Sequence, residues 1–583
     1  MMKNIFMKWR LVIILTSIFF YGCETFDLNQ TEDPNAVLIE NLEYELAFNY
    51  IQLQLPDFVN STNSFTQRVT RQMAMTGGTN YDNAFQPVNF NGNWSIAYNL
   101  LNAIKFMEPK AAARDDKYVI GAAKVIRCYV LATLVDVYGD IPYTEALLGN
   151  QNFFPKFDKS QDVYKGVLAE LEQAKAILQV AGSKGDNVVD LYYGSSADWI
   201  RLANTIRFKM LVTARLAGND IGIANVGAEI QSILDSGNYI SQTSQDFEFK
   251  YGSSRVNPQS RHPQYYDMYE LGGGSYIANY MFWTMTSEKG FNTNTNGLGG
   301  SSNYDPRTGF YFYKQANPSG STIDNFVLPG RNRPEHFNQD EYASFYNSTL
   351  TCYGLSNWVG SRDPESNGFW GRDHGNADGI PPDNELRTVT GLYPIGGEIG
   401  EPASTQTEGK KGALGRGIMP IILSSYVKFL RAEAMLKIPG VTSASSVRDV
   451  LVDAVTTSID KTINFLPDFN RPPVVNSTTV QAQRTSYINF ITTEYNLLTS
   501  DDKRLEMIMK EYFIASWGNG IEPYNNYRRT GFPSNFQPTL EPVSGAYFST
   551  ALYPLTSQQN NPNTPGNTRL KKVFWDKANL NLH

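Results

Sequence analysis

The most unusual chemical pattern in this chain is HGNADGIPPDNE, residues 374–385. Set against the twelve-residue calcium loop, His374 takes position one, Asn376 and Asp378 take three and five, Gly379 takes six and Glu385 takes twelve. Asp383 is a further oxygen donor, so Asn376, Asp378, Asp383 and Glu385 are the candidate ligands of a calcium ion. Two features oppose that assignment. His374 stands where a hard oxygen is needed, and Pro381-Pro382 forbid the usual loop path. A turn-rich loop without metal is the alternative.

A second concentration of acid groups is Asp136, Asp140 and Glu145 in VDVYGDIPYTEAL. Here turn chemistry explains the residues better than catalysis. Gly139 ends a helix, Pro142 blocks its restart, and the carboxylates solvate or cap the turn. In NNYRRTGFP, Arg528 and Arg529 suit pairing with acidic neighbours, with a ligand carboxylate as the other partner to consider. The four His, at 262, 336, 374 and 583, form no HExxH and no His/Cys cluster. There is no GxSxG elbow and no GxxxxGK[ST] phosphate loop. A glycosidase pair of carboxylates leaves no local spacing, and among 57 acidic residues such a pair would arise by chance. The expectation is a protein that is not an enzyme.

Binding chemistry is better represented. The chain holds 34 Tyr, 33 Phe and 8 Trp, and sugar rings present apolar C–H faces that stack on such rings. Peptide grooves use aromatics too. The candidate ligand-binding residues are Trp94, Tyr81, Trp358, Trp370 and Arg372. Trp358 and Trp370 sit among Gly, Asn and Ser, with little nearby to bury a large ring. Tyr81 would offer a stacking face, and Arg372 a donor to hydroxyls. Trp94 follows the polar NFNGN stretch, although Trp94, Tyr98 and Leu101 also form a helical stripe that would suit a core. Trp283, in an apolar run, is expected in the core.

Positioning these residues falls to a chain that is helical at both ends of its body and loop-rich between. Val119, Ala123, Ile126, Val130 and Leu134 recur at steps of three and four across Lys117 to Val137. Ser160 is the expected cap of the next helix. Ser196 is the cap of another, closed by Gly218. Between 240 and 420 Gly, Asn, Ser and Pro clusters interrupt every pattern, which predicts loops and short strands over a helical support. Helical patterns return at Ile421 to Leu436, Ser445 to Phe465 and Asp501 to Trp517. Residues 36–583 are read as one domain. Its helical scaffold is 36–238 and 421–517, its loop-rich ligand-binding region 240–420, and 518–583 an irregular C-terminal part.

The N-terminus carries a targeting pattern. Lys3, Lys8 and Arg10 precede an apolar stretch, Leu11 to Phe20, that is too short to span a bilayer and runs into Tyr21-Gly22-Cys23. Residues 1–22 are read as a lipoprotein signal peptide, Cys23 as the lipidated residue and 23–35 as an extended leader. No later stretch is expected to reach transmembrane length. Removing residues 1–22 moves the formal charge from -7 to -10, which excludes nucleic acid as the expected partner. Cys128 lies in a helical apolar pattern and is expected as a buried thiol, and its spacing to Cys352 leaves pairing open.

Six segments together resemble one family, the SusD/RagB lipoproteins of Bacteroidetes. They are LNQTEDPNA, LATLVDVYGDIPYTEAL, WIRLANTIRFKMLVTARLA, NYDPRTGFYFY, YVKFLRAEAML and YFIASWGNGIEPYNNYRRTGFP, in that order across nearly the whole chain after Cys23. The resemblance implies a mostly α fold, tetratricopeptide-like helical hairpins carrying a large loop-rich insertion with short strands. It also implies a lipid anchor in the outer membrane, exposure to the cell exterior, and a TonB-dependent SusC-like transporter as partner. An oligosaccharide is the implied ligand, with a peptide as the alternative. The residues after Cys23, Glu24 to Asp27, are only thinly acidic beside the acidic run many members carry there.

Overall fold

Apolar periodicity and observed helices agree closely through the N-terminal part. In the computed structural model, α1 (Tyr44–Val69) packs on α2 (Asn91–Ala113) and α3 (Lys117–Tyr138) on α4 (Ser160–Val180), and α5 (Ser196–Thr213) and α6 (Val226–Ser236) follow. The structure describes residues 43–75, 81, 83–182, 184–271, 275–286, 288–289, 305–315, 369, 371–375, 388–400, 412–468, 477–539, 547–578, 580 and 582. All but Glu43 belong to the unit Tyr44–His583.

Helix α3 lies at the centre of the array. The stripe Val119, Ala123, Ile126, Val130 and Leu134 is buried as its spacing predicts, and so are Val125, Leu131 and Val135 on other faces. Cys128 is a buried free thiol on this helix. Contrary to the sequence expectation, α3 is long and apolar enough to cross a membrane by length and composition. Its sides are instead covered by α2, α4 and α5, as befits a helix apolar all round inside a protein. Asp116 caps it, accepting the Val119 N–H at 3.1 Å, and Gly139 ends it at a φ of +83°. On its face toward α4, a Cβ at Gly121 would lie 2.5 Å from Leu178 Cγ, so only glycine permits this approach.

Two caps differ from expectation. Ser160 is the first helical residue of α4 rather than its cap, and its N–H donates to Asp140 at 2.8 Å. The cap of α5 is Ser195, one residue before Ser196, with its Oγ accepting the Asp198 N–H at 3.3 Å. That helix stops at Thr213, ahead of Gly218, which opens a separate 3-10 turn.

The loop-rich region opens and closes on one antiparallel pair. Strand β1 (Phe247–Lys250) enters it and β4 (Ile418–Ile422) leaves it, with Phe249 opposite Met419 and Lys250 opposite Ile418. Within it form short helices α7 (Pro263–Tyr269), α8 (Asn279–Thr286) and α9 (Thr308–Tyr311). Strands β2 (Phe312–Lys314) and β3 (Thr388–Thr390) make a second antiparallel pair. The chain then returns to helix: α10 (Ser424–Lys437), α11 (Val447–Ile463), α12 (Ser477–Leu497) and α13 (Asp501–Ala515). Buried charge pins the region to these helices. Arg307 donates to Asp305 at 2.6 Å, to Ser458 of α11 at 3.0 Å and to Glu511 of α13 at 3.3 Å, with both ion-pair partners fully buried.

The C-terminal part is more ordered than its sequence suggests. Residues expected to be irregular form α14 (Ile521–Thr530), every residue of it buried, and α15 (Leu555–Asn560). Pro523 sits in the first turn of α14, where its missing N–H is tolerated, and Gly531 caps the end at a φ of +76°. Trp575 Nε1 donates to Asp136 at 3.0 Å and Lys571 Nζ to Asp140 at 2.8 Å, strapping the terminus across the end of α3. The fold is thus mostly α, with a loop-rich insertion bearing short strands.

Candidate functional site

The carboxylates of VDVYGDIPYTEAL are fully occupied. Asp136 is buried and accepts from Tyr164 at 2.9 Å, Asn525 at 2.8 Å and Trp575 at 3.0 Å. Burial raises its pKa, with Lys209 and Arg528 pulling the other way. Asp140 caps α4. Glu145 accepts from Asn152 Nδ2 at 3.0 Å and from the Lys156 N–H at 3.1 Å. Asp158 accepts the N–H groups of Tyr143 and Thr144 at 2.9 and 2.8 Å. Together these bonds hold the loop between α3 and α4 in one shape. Arg528 and Arg529 are structural as well. Arg528 donates to the carbonyls of Ser549 and Asp136, both at 2.6 Å, and Arg529 pairs with Glu433 at 2.5 Å.

What the braced loop presents is Phe153, which is 71% exposed, and Phe154, which is 53% exposed. Hydrogen bonds from Asn561 to the Pro155 carbonyl at 2.8 Å and from Asn563 to the Phe154 carbonyl at 2.7 Å fasten the loop beside α15. Trp94, in the first turns of α2, is half-buried. It lies 4.9 Å from the Tyr98 ring, stacks on Phe157 at 6.1 Å and meets Tyr138 edge-on at 5.2 Å. The result is an open recess of about 270 Å³, lined by the rings of Trp94, Tyr98 and Phe153 together with Pro155, Thr556, Ser557, Asn560 and Asn561. Among the described residues, no Asp, Glu, Lys or Arg lines it. Aromatic rings beside amides and hydroxyls suit a neutral ligand that is apolar on one face and rich in hydroxyls on its edge.

A groove on the outer face of α1 forms a second concavity. One cavity, of about 400 Å³, lies over Phe65, Phe85, Phe90 and Tyr138 and is rimmed by Ser61, Ser64, Arg68, Gln86, Asn89 and Asn93. A neighbouring one of about 260 Å³ is lined by Asn60, Gln67, Gln264, Asp267, Ser275 and Tyr276 among others, and shares Ser64 and Arg68 with the first.

The remaining sequence candidates fall elsewhere. Tyr81 is buried, its hydroxyl 2.8 Å from His374 Nε2 and its ring enclosed by Tyr547 and Phe548, so it presents no stacking face. Arg372 is fully buried because its backbone is threaded between Ile277 and Asn279 (3.1 and 2.8 Å), and its guanidinium lies 5.4 Å over Tyr276. A surface donor role does not fit that position. Trp283 is in the core as expected. Cys23, Cys352, Trp358, Trp370, Asn376, Asp378, Asp383 and Glu385 lie outside the described residues. Among the described residues, no group of three or more His, Cys, Asp or Glu is placed to hold a metal ion. The sequence reading missed Phe153 and Asn560. Two adjacent Phe among Gln, Asn and Pro, in a short non-periodic link between helices, were the available signal.

Comparison with known proteins gives consistent matches. Residues 27–285 match a SusD-like family model described as starch-binding, associating with outer membrane, and residues 416–566 match the SusD and RagB outer-membrane lipoprotein model. Among solved structures, a chitin-binding SusD homolog from Flavobacterium johnsoniae superposes with a TM-score of 0.61 at 15% identity, covering 93% of this chain and 99% of that one. A SusD-like protein from Bacteroidetes gives 0.62 at 17% identity, covering 92% and 100%. A SusD homolog from Bacteroides fragilis NCTC 9343 gives 0.60 at 16% identity, covering 90% and 99%. No curated protein matches.

Proposed function

Because this chain belongs to the SusD-like outer-membrane nutrient-binding proteins of Bacteroidetes, we propose that it captures an oligosaccharide on the recess between Trp94 and Phe153 and passes it to a SusC-like TonB-dependent transporter. The observation that carries this reading is Phe153: a ring 71% exposed, held by a braced loop and lining one recess with the half-buried Trp94 and with Asn560. A solvent-facing aromatic in a shaped recess is poorly explained by packing and well explained by stacking on a sugar ring. Amides and hydroxyls of α15 order the ligand's hydroxyls. The sequential helix pairs, joined by links as short as residues 114–116, support a tetratricopeptide-like scaffold. Cys23 is the proposed lipid anchor, with the protein facing the cell exterior.

Binding rather than hydrolysis is the favoured chemistry. A glycosidase needs two carboxyl groups facing each other across the ligand, and Asp267 is the one carboxylate lining either concavity near α1 and α2 that lacks a salt-bridge partner among the described residues. Calorimetry of the full chain purified in detergent, against neutral oligosaccharides and against peptides, tests the reading. Oligomers of N-acetylglucosamine come first, since two of the similar structures are chitin-binding proteins. Saturable sugar binding that disappears in Phe153→Ala supports it. Peptide binding with silent sugars moves the protein to the peptide-capturing alternative.

A further inference from the structure

Arg68 sits in the last turn of α1, half-buried, and lines both cavities of the α1 groove. Other buried or half-buried arginines in this protein, such as Arg127, Arg307, Arg528 and Arg529, spend their donors on a carboxylate or on carbonyls. The Arg68 side chain has no hydrogen-bond or ion-pair partner among the described residues. Its surroundings remove water from the guanidinium, which lowers its pKa. Asp267 acts on it only as a more distant charge that offsets part of this effect. A partly desolvated guanidinium with no partner is costly to maintain, and an anion arriving in the groove would repay that cost with paired, charge-assisted hydrogen bonds. Among the described residues that line the larger cavity, Arg68 is the one charged group. Its volume of about 400 Å³ falls in the range usual for small-molecule sites.

We propose that the α1 groove is a second binding site, separate from the Trp94 recess, and that it takes a carboxylate-bearing sugar residue, with the carboxylate held by Arg68 in the larger cavity. The hydroxyl and amide groups of Ser61, Ser64, Gln86 and Asn89 would order the ring hydroxyls. Phe65 and Phe85 form the floor. The planar fork of arginine matches a carboxylate in two parallel hydrogen bonds, which a lysine cannot reproduce. Asp267, which lines the smaller cavity, makes the groove directional because the acid group is repelled from that end.

The test uses the full chain in detergent, titrated calorimetrically with oligogalacturonate, with the same oligomer after its carboxyl groups are reduced to alcohols, and with a peptide bearing a free C-terminal carboxylate. The expected result is saturable binding of the oligogalacturonate that weakens about tenfold or more in Arg68→Met and on carboxyl reduction, and that falls with added salt. Arg68→Lys is expected to recover part of the affinity, and Asp267→Asn to tighten it severalfold. An unchanged melting temperature for Arg68→Met shows that the loss is local. The proposal is overturned if the oligogalacturonate does not bind, if the reduced oligomer binds as tightly as the acid, or if the peptide binds and the uronate does not. The reading of the Trp94 recess stands or falls separately, because Phe153→Ala is expected to leave uronate binding intact and Arg68→Met to leave neutral-sugar binding intact.

Discussion

The carboxylate of Asp140, at the end of α3, accepts the backbone N–H of Ser160 at 2.8 Å and so caps a different helix, α4. Lys571, from the C-terminal segment, closes on the same carboxylate at 2.8 Å. One side chain therefore joins three stretches of chain at the base of the loop that carries Phe153.

Burial alone would raise the Asp140 pKa, but hydrogen bonds from Lys571 and Ser160 and the charges of Lys571 and Lys159 bring it below the usual carboxylate range. A depressed folded-state pKa contributes stability that is present above the unfolded value, about 3.9, and is lost as pH falls through the folded value. Asp140→Ala is expected to cost about 1–2 kcal/mol at pH 7, the loss of a helix cap. In urea denaturation the difference between variant and native protein should shrink below about pH 4. A constant difference across that range would show that the carboxylate's charge is irrelevant.

Phe153 and Trp94 should separate when stability and binding are measured side by side. Phe153→Ala removes an exposed ring and is expected to change stability by less than about 0.5 kcal/mol, while neutral-oligosaccharide binding is lost. Trp94→Ala removes a half-buried ring in contact with Tyr98, Tyr138 and Phe157 and is expected to cost about 2 kcal/mol as well as binding. Full binding by Phe153→Ala would remove the recess as the sugar site.

Arg307 is the fully buried cation that ties the insertion to α11 and α13. Arg307→Met leaves Asp305 and Glu511 facing each other in the interior with Lys289 as the nearby compensating charge. The expected cost is about 3–5 kcal/mol, seen as a lowered melting temperature and as proteolytic cleavage within 251–417 before the helices are cut. Simultaneous loss of helices and insertion would show that the two unfold as one unit.

Gly121 sets the distance between α3 and α4. Gly121→Ala gains about 1 kcal/mol of helix propensity but drives a methyl into Leu178, so a net loss of about 1–2 kcal/mol is expected. In the double variant with Leu178→Ala the two effects should fall short of their sum, because the added methyl occupies part of the vacated space. Simple additivity would mean the helices move apart instead.

The scaffold was legible where burial follows periodicity, as in α3, where the spaced Val, Ala, Ile and Leu are core and Gly139 ends the helix. Caps were harder, since Ser195 and Ser196 are chemically equal and the cap of α4 comes from Asp140, 20 positions before Ser160, a contact no local pattern reveals. Helix α14 escaped notice because NNYRRT has little intrinsic helix preference, and its complete burial under other elements decides its conformation. Turn chemistry accounts for Asp140 and Glu145 of the acid cluster but not for Asp136, a buried residue inside α3 that bonds Tyr164, Asn525 and Trp575, and no local pattern showed that the cluster braces an aromatic loop. Tyr81 and Arg372 were chosen for what their side chains could offer a ligand, yet the distant rings of Tyr547 and Phe548 enclose the first and the backbone of Ile277 and Asn279 holds the second in the interior. Composition reports what a segment contains, whereas exposure depends on what later parts of the chain lay over it.

The pairing of β1 with β4 has a consequence for how this protein can change over generations. The insertion departs at Lys250 and returns at Ile418, neighbours on adjacent strands about 5 Å apart. Whatever lies between them starts and finishes at one doorway, so its length and content can be rewritten without rerouting the helices. A replacement that supplies a cation for Glu511 inherits a ready-made socket.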